Sequence, residues 1–186
     1  MMRYFRLIAI LLVLAFAAGT VNRPNPAQAA SAAEINRDAR NGLEILYGKT
    51  PASKALGEKA QGILVFPSIT KGGFMVGGQY GEGVLIQGGK TAGYYNTVQV
   101  SYGLQAGIQK YGYALFFMSA SALKWLDKSD GFELGTGPSI VVVDTGAAKS
   151  MSTTTLQSEI YAFFFDQKGL MGGLGLQGTK ITRMNK

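Results

Sequence analysis

VQVSYGLQAGI, Val98 to Ile108, is the stretch that decides the fold. Val98, Val100, Tyr102, Leu104, Ala106 and Ile108 fall on one side of a period of two, and Gln99, Ser101, Gly103, Gln105 and Gly107 on the other. Alternation of this kind marks a β-strand, whose successive side chains leave opposite faces. The second face is small and polar. Working outward, other apolar strands follow the same glycine-punctuated texture. Ile63–Phe66 stops at Pro67, Phe74–Val76 follows a Gly pair, and Val84–Ile86 precedes a turn at Gly88-Gly89-Lys90-Thr91. Tyr113–Met118 and Ile140–Val143 come next, and Ile160–Phe165, Asp166–Gly169 and Leu170–Leu176 read as a closing hairpin. Of 26 glycines, 22 lie between Gly62 and Gly178. Glycine weakens a strand unless a missing side chain is required there, for curvature or close packing. Gly135, Gly137, Gly172, Gly173 and Gly175 are expected to act in that way.

Helices flank the strands. Ser31-Ala-Ala-Glu34 is a capping box. Ile35, Ala39, Leu43 and Leu46 follow at helical spacing, and Gly48 is placed for a left-handed C-terminus. Thr50-Pro51 opens a second helix that carries Ala52, Ala55, Leu56 and Ala60 and stops at Gly62. Ser119–Lys128 reads as a third, inserted helix. The expected class is α+β: a glycine-rich, mainly antiparallel β barrel or sandwich of many short strands, with an N-terminal helical hairpin and one inserted helix. A membrane-spanning barrel needs strands of about 9–11 residues, and most strands here read as shorter.

Arg3 and Arg6, the apolar run Leu7–Ala18 and Ala27-Gln28-Ala29 form the pattern of an export signal. The run is too short to span a bilayer, which takes about 20 residues. Residues 1–29 are therefore expected to be a signal peptide and 30–186 one exported domain, periplasmic or secreted. The chain has no cysteine, so neither a disulfide nor a lipidated cysteine is available. It has no histidine, which removes the commonest general base and metal ligand. Net charge is +7, and +4 once Arg3, Arg6 and Arg23 leave with the signal. That excess suits an anionic membrane surface. No Lys/Arg run resembles a nucleic-acid arm, so no nucleic-acid partner is expected.

The chemical motifs are weak. Gly173, Gly175 and Gly178 spell G-x-G-x-x-G, but only eight residues follow and no helix or acidic residue comes after it. Those glycines read instead as a curved final strand, with Thr179–Arg183 continuing its β character. Ser68-Ile-Thr-Lys71 and Ser121-Ala-Leu-Lys124 match S-x-x-K, yet neither S-D-N nor K-T-G accompanies them. They read as a turn and a helix face. Asp127, Asp130 and Glu133 read as a solvated loop rather than a cation site. No catalytic, cofactor or metal residue is expected. An exported serine acylase, or a self-associating envelope domain without a small ligand, are the alternatives.

Several blocks resemble the SYLF, or Ysc84-type, domain: Gly62–Pro67 with Lys71–Gly73, Ser101–Gly107, Gly131–Ile140, Val143–Gly146 and Gly169–Arg183. The resemblance covers about Ser31 to Arg183. It implies a non-enzymatic, cofactor-free phospholipid-binding module of the bacterial envelope, binding in the family to phosphatidylinositol-type head groups. It does not imply actin as a partner, which an exported bacterial protein does not meet. Arg37 and Arg40 on the first helix and Lys54 and Lys59 at the second lie off the apolar stripes, and are the expected anionic-lipid contact. The loops around Lys71, Lys90 and Lys110 are the second choice. Intact-mass measurement of the exported protein is expected to show Ala30 as its first residue. Retention of Met1 contradicts that cleavage.

Overall fold

The computed structural model describes residues 30–127, 132–143, 158–168, 176 and 178–186, with backbone alone at 74, 75 and 101–106. The expected signal segment 1–29, Asp130, the strand expected within 170–176, and Gly172, Gly173 and Gly175 lie outside the described residues, as do 144–146. Helix α1 is Ala32–Lys49 and α2 is Pro51–Gly57. The capping box is present: Ser31 Oγ accepts from the Glu34 amide, and the Ser31 amide donates to the Glu34 carboxylate at 2.8 Å. Donation to that carboxylate from the Ser31 amide, and from Ser31 Oγ at 2.8 Å, holds it below its ordinary pKa. α1 runs through Gly48, and Thr50 caps it by donating its amide to Leu46 O, so the stop expected at Gly48 comes later.

The largest correction concerns strand length. The short strands expected between Gly62 and Met118 are two long ones, β1 (Gly62–Gln87) and β2 (Lys90–Phe117). They pair antiparallel from Gln87 opposite Lys90 to Gly62 opposite Phe117. Gly88 and Gly89, at φ +53° and +76°, make the two-residue turn expected there. Pro67 does not end β1. It sits at a register shift between Phe66 and Ile69, on a strand that among the described residues pairs with β2 alone, and an edge strand with a bulge tolerates the missing N–H. At 26 and 28 residues, β1 and β2 are longer than the roughly 9–11 residues a membrane-spanning strand needs, contrary to the short strands expected.

The hairpin is folded in half. A register shift lies between Phe74 and Val76, opposite Tyr102 to Ala106. Beyond it, β1 returns along its own first half, with Gly81 against Ile69 and Gly83 against Val65 and Phe66. Each long strand therefore contributes to both walls of a half-barrel. β5 (Ile160–Lys168) extends one wall beside β2 and carries β4 (Ile140–Val143) in parallel. β6 (Lys180–Met184) extends the other and carries β3 (Phe132–Glu133). Among the described residues six strands form one sheet, ordered β3-β6-β2-β5-β4, with β1 on β2. The class is the expected one, α+β and mostly antiparallel. The inserted helix is shorter than expected: one turn, α3 (Ala120–Leu123), capped by Ser119 and followed by a 3-10 turn at Lys124–Asp127.

Two cores follow. Leu64, Phe66, Ile69, Tyr95, Tyr113 and Leu115 fill the space between the walls. Ile63, Val65, Val84, Ala114 and Phe116, on the opposite faces of the same strands, meet Ile35, Ala39, Leu43, Leu46 and Leu56 of the helices. Ile63–Phe66 is continuously apolar because both its faces are buried. Gly135 has φ +102° and Gly137 packs on the Trp125 ring, as expected for those two.

A Cβ at Gly83 meets Val65 O at 2.4 Å and the Phe66 ring at 2.6 Å, whereas one at Gly72 meets nothing nearer than 3.7 Å. Gly83→Val is expected to cost about 3 kcal/mol or more, and Gly72→Ala under about 1 kcal/mol. Chemical denaturation of the two variants checks the contrast. Equal stability contradicts the wall-to-wall packing.

Candidate functional site

The basic side chains singled out in the sequence fall into separate places. Arg37 and Arg40 are exposed on α1, off the buried stripe. Arg37 Nε pairs with Asp38 Oδ1 at 2.8 Å in water. Arg40 Nη2 donates to Gly89 O at 3.3 Å, which brings it beside exposed Lys90 on the hairpin turn. Lys54 on α2 and Lys59 just after it are also exposed. The last turns of α1 separate them from Arg40 by roughly 15 Å along the helix axis. The four helix cations therefore form two groups rather than one patch.

Lys71 and Lys110 are in strands, not loops. Lys71 is buried, facing Gln109 across the ladder inside the fold, and it offers no surface to a partner. Lys110 is exposed on the outer face, opposite Lys168 of β5. The SxxK pairs also separate. Ser68 is exposed where Lys71 is buried. Ser121 Oγ shares a hydrogen bond with Ser119 Oγ at 2.9 Å. Asp127 pairs with Arg183 at 3.4 Å. Among the described residues no three acidic groups gather as metal ligands, and no helix is long and apolar enough to cross a membrane.

Sequence reasoning found the Val98–Ile108 alternation but not its direction. Near the helices, both faces of the ribbon are covered. Toward the bend, the apolar side points out. Val76, Tyr80, Val98, Val100 and Ile108 are all exposed, Ile108 at 70%. The inward side is polar: Lys71, Gln79, Thr97 and Gln109 are buried there. Tyr111 Oη donates to Gln79 Oε1 at 2.5 Å and Tyr113 Oη to Thr97 Oγ1 at 2.8 Å, each bond joining one wall to the other. Gln79 Nε2 and Gln109 Oε1 find no hydrogen-bond partner among the described residues. A half-buried strand ordinarily turns its apolar side in. The signal that reveals the inversion is not local, because it depends on which wall each residue faces once the ribbon has doubled over.

The outer rows also carry lysines. Tyr80, Val98 and Lys180 lie side by side across β1, β2 and β6. Thr70, Lys110 and Lys168 lie side by side across the other wall. Glu82 is the only acidic residue between Gly62 and Phe117. Lys186 neutralises it at 2.8 Å, in a pair shielded from solvent, and also donates to Ala30 O.

Residues 98–186 match the family model Ysc84, described as Las17-binding protein actin regulator. This is the family that the sequence blocks resemble. The match begins at Val98, so the blocks at Gly62–Pro67 and Lys71–Gly73 lie outside it. None of the curated proteins compared matches the chain.

Burial pushes the Tyr111 hydroxyl up to about 12 and raises that of Tyr113 further above its ordinary value of 10.0. Both are protonated in the fold where the unfolded chain ionises. The unfolded chain therefore binds fewer protons above pH 10, and stability is expected to be full below that value and to fall from about pH 10 to 12. Each retained proton is worth at most about 1.4 kcal/mol per pH unit. Urea unfolding from pH 9 to 11 on the native chain and on Tyr111→Phe/Tyr113→Phe measures it. An unchanged slope in the double variant contradicts the buried, bonded hydroxyls.

Proposed function

We propose that this chain, carrying a Ysc84-type domain in residues 98–186, is a peripheral phospholipid-binding module exported to the bacterial envelope, without enzymatic activity. The family match is the observation that carries the reading, since the Ysc84 (SYLF) family is one of lipid- and actin-binding modules. The family model's description, Las17-binding protein actin regulator, concerns actin. Export, read from Arg3, Arg6 and Ala27-Gln-Ala29, takes this chain away from actin and leaves lipid as the partner. Exposed Arg37, Arg40, Lys54, Lys59, Lys90 and Lys110 support attraction to an anionic surface, each basic group near the membrane contributing roughly 1 kcal/mol. With no cysteine to carry an acyl chain, the contact is reversible.

Co-sedimentation with vesicles of phosphatidylcholine alone, or mixed with phosphatidylglycerol or phosphatidylinositol phosphate, tests this. Binding is expected to need the anionic lipid and to weaken as salt rises, because screening shortens the reach of surface charge. Changing Arg37, Arg40, Lys54 and Lys59 together to Ser is expected to weaken it at low salt, where the Debye length reaches about 30 Å and these charges act even from a face turned away from the bilayer. Failure to bind any composition overturns the reading.

A further inference from the structure

The bend of the β1–β2 ribbon has an organisation that neither a core nor an ordinary surface explains. Folding the ribbon back turns its two outer faces in opposite directions. Ile108 stands on one face at 70% exposure, Val100 on the other at 59%, and Val76 beside the bend at 56%. The described side chains on either side of the bend, Val76, Val100 and Ile108, are thus apolar and exposed. The filling beneath them is the buried polar set of Lys71, Gln79 and Gln109. Lysines stand further from the tip than this skin. Lys110 is two residues beyond Ile108, with Lys168 alongside in an exposed pair with Asp166 at 3.1 Å, and on the other wall Lys180 stands between Val98 and Glu133, two residues beyond Val100. Glu82, the hairpin's sole acid, is withdrawn into its pair with Lys186.

We propose that this end of the ribbon is a wedge that enters the outer part of an anionic lipid leaflet, with its apolar skin in the acyl boundary and its lysine collar at the phosphates. The inference rests on the phospholipid-binding reading above and places the contact at the end of the ribbon remote from the Gly88–Gly89 turn and α1. Lipid is the occupant that fits. A medium covers both flanks of a tip at once, whereas a second copy docked on one flank leaves the other in water. Exposed Lys110 meets its own like charge in a second copy docked on this flank, while anionic headgroups complement it. The four residues from Ile108 to Leu104 extend roughly 13 Å, which keeps the tip within one leaflet of a core about 30 Å thick. Open sheet edges do not occur within the hydrocarbon core. Among the described residues the ribbon near the bend pairs only with itself, so the tip stays at the headgroup–acyl boundary, where water reaches its edges, and Gln79, Gln109 and Lys71 stay inside.

Two measurements on the full exported chain test the wedge with phosphatidylcholine–phosphatidylglycerol vesicles. In the first, Val100→Ser/Ile108→Ser removes skin at exposed positions where the fold does not depend on it. Vesicle affinity is expected to drop at least about tenfold with unchanged thermal unfolding. In the second, the absence of cysteine allows a single polarity-sensitive label at Val100→Cys, with Ser121→Cys as reference. A blue shift on vesicle addition at Val100→Cys and none at Ser121→Cys supports the wedge. Native vesicle binding with a silent Val100→Cys label and an unaffected double variant overturns the wedge and leaves lipid binding standing, with the contact at the helices. No vesicle binding by the native chain overturns both. Self-association lost in the Val100→Ser/Ile108→Ser variant, without vesicle binding, assigns the skin to a second copy and likewise overturns the wedge.

Discussion

The close contact between the two halves of β1 is the constraint from which the rest follows. At Gly81 and Gly83 the returning strand lies against Ile69, Val65 and Phe66, with no room for a Cβ between the walls. That approach sets the wall spacing, and the spacing sets what fits between them. Large rings, Phe66 and Tyr113 tilted at 37° with centroids 4.8 Å apart, fill the end nearest the helices. Toward the bend the gap is held by hydrogen bonds from Tyr111 and Tyr113 rather than by apolar packing. The same strands therefore change from apolar-in to polar-in along their length, and the outer face changes in the opposite sense.

A second close contact ties the helices to this frame. The Phe165 ring of β5 sits where a side chain on Gly112 of β2 or on Gly42 of α1 would otherwise be. The ring is thus held between sheet and helix, and α1 reaches the sheet through a residue without a side chain. Its stripe from Ile35 to Leu46 then closes over Val65, Ala114 and Phe163. This cover stops short of the bend, which is why apolar residues there remain in water.

The first helix, the start of the second, the Gly88–Gly89 turn, β4 and the β character of Thr179–Arg183 were legible because each has a local cause: a capping box, an apolar stripe, a β-branched run, a pair of glycines. Other bounds were not: α2 ends at Gly57 rather than Gly62, β5 runs to Lys168 through the turn expected at Asp166, and Gly178, at φ +73°, turns the chain before β6 instead of belonging to a curved strand. Strand continuity was not legible either. Pro67 and the Gly72-Gly73 and Gly77-Gly78 pairs look like chain breaks, yet a bulged edge strand and a bend accommodate them without ending the ladder. The fate of the candidate lysines was illegible for the same reason. Lys71 and Lys110 both look like loop cations in sequence. Their positions on a doubled ribbon put one inside and leave the other on the outer face. Which side of the Val98–Ile108 alternation faces water depends on contacts between residues tens of positions apart, and no local period carries that information.

The β1–β2 register bears on how such a chain reaches its fold. Gln87 faces Lys90, Tyr80 faces Val98 and Gly62 faces Phe117, all about one turn. Pairs distant in sequence become adjacent once the pairs before them have formed, so the entropy of closing a loop is met chiefly once, at Gly88–Gly89. Zippering outward from that turn is a route of successive small steps, although the mean separation of contacts in the finished ladder is that of a slow-folding β protein. The doubling at Phe74–Val76 then requires a ribbon already long enough to meet itself. Closure of the two walls is on this account a late event, after the strands that compose them exist.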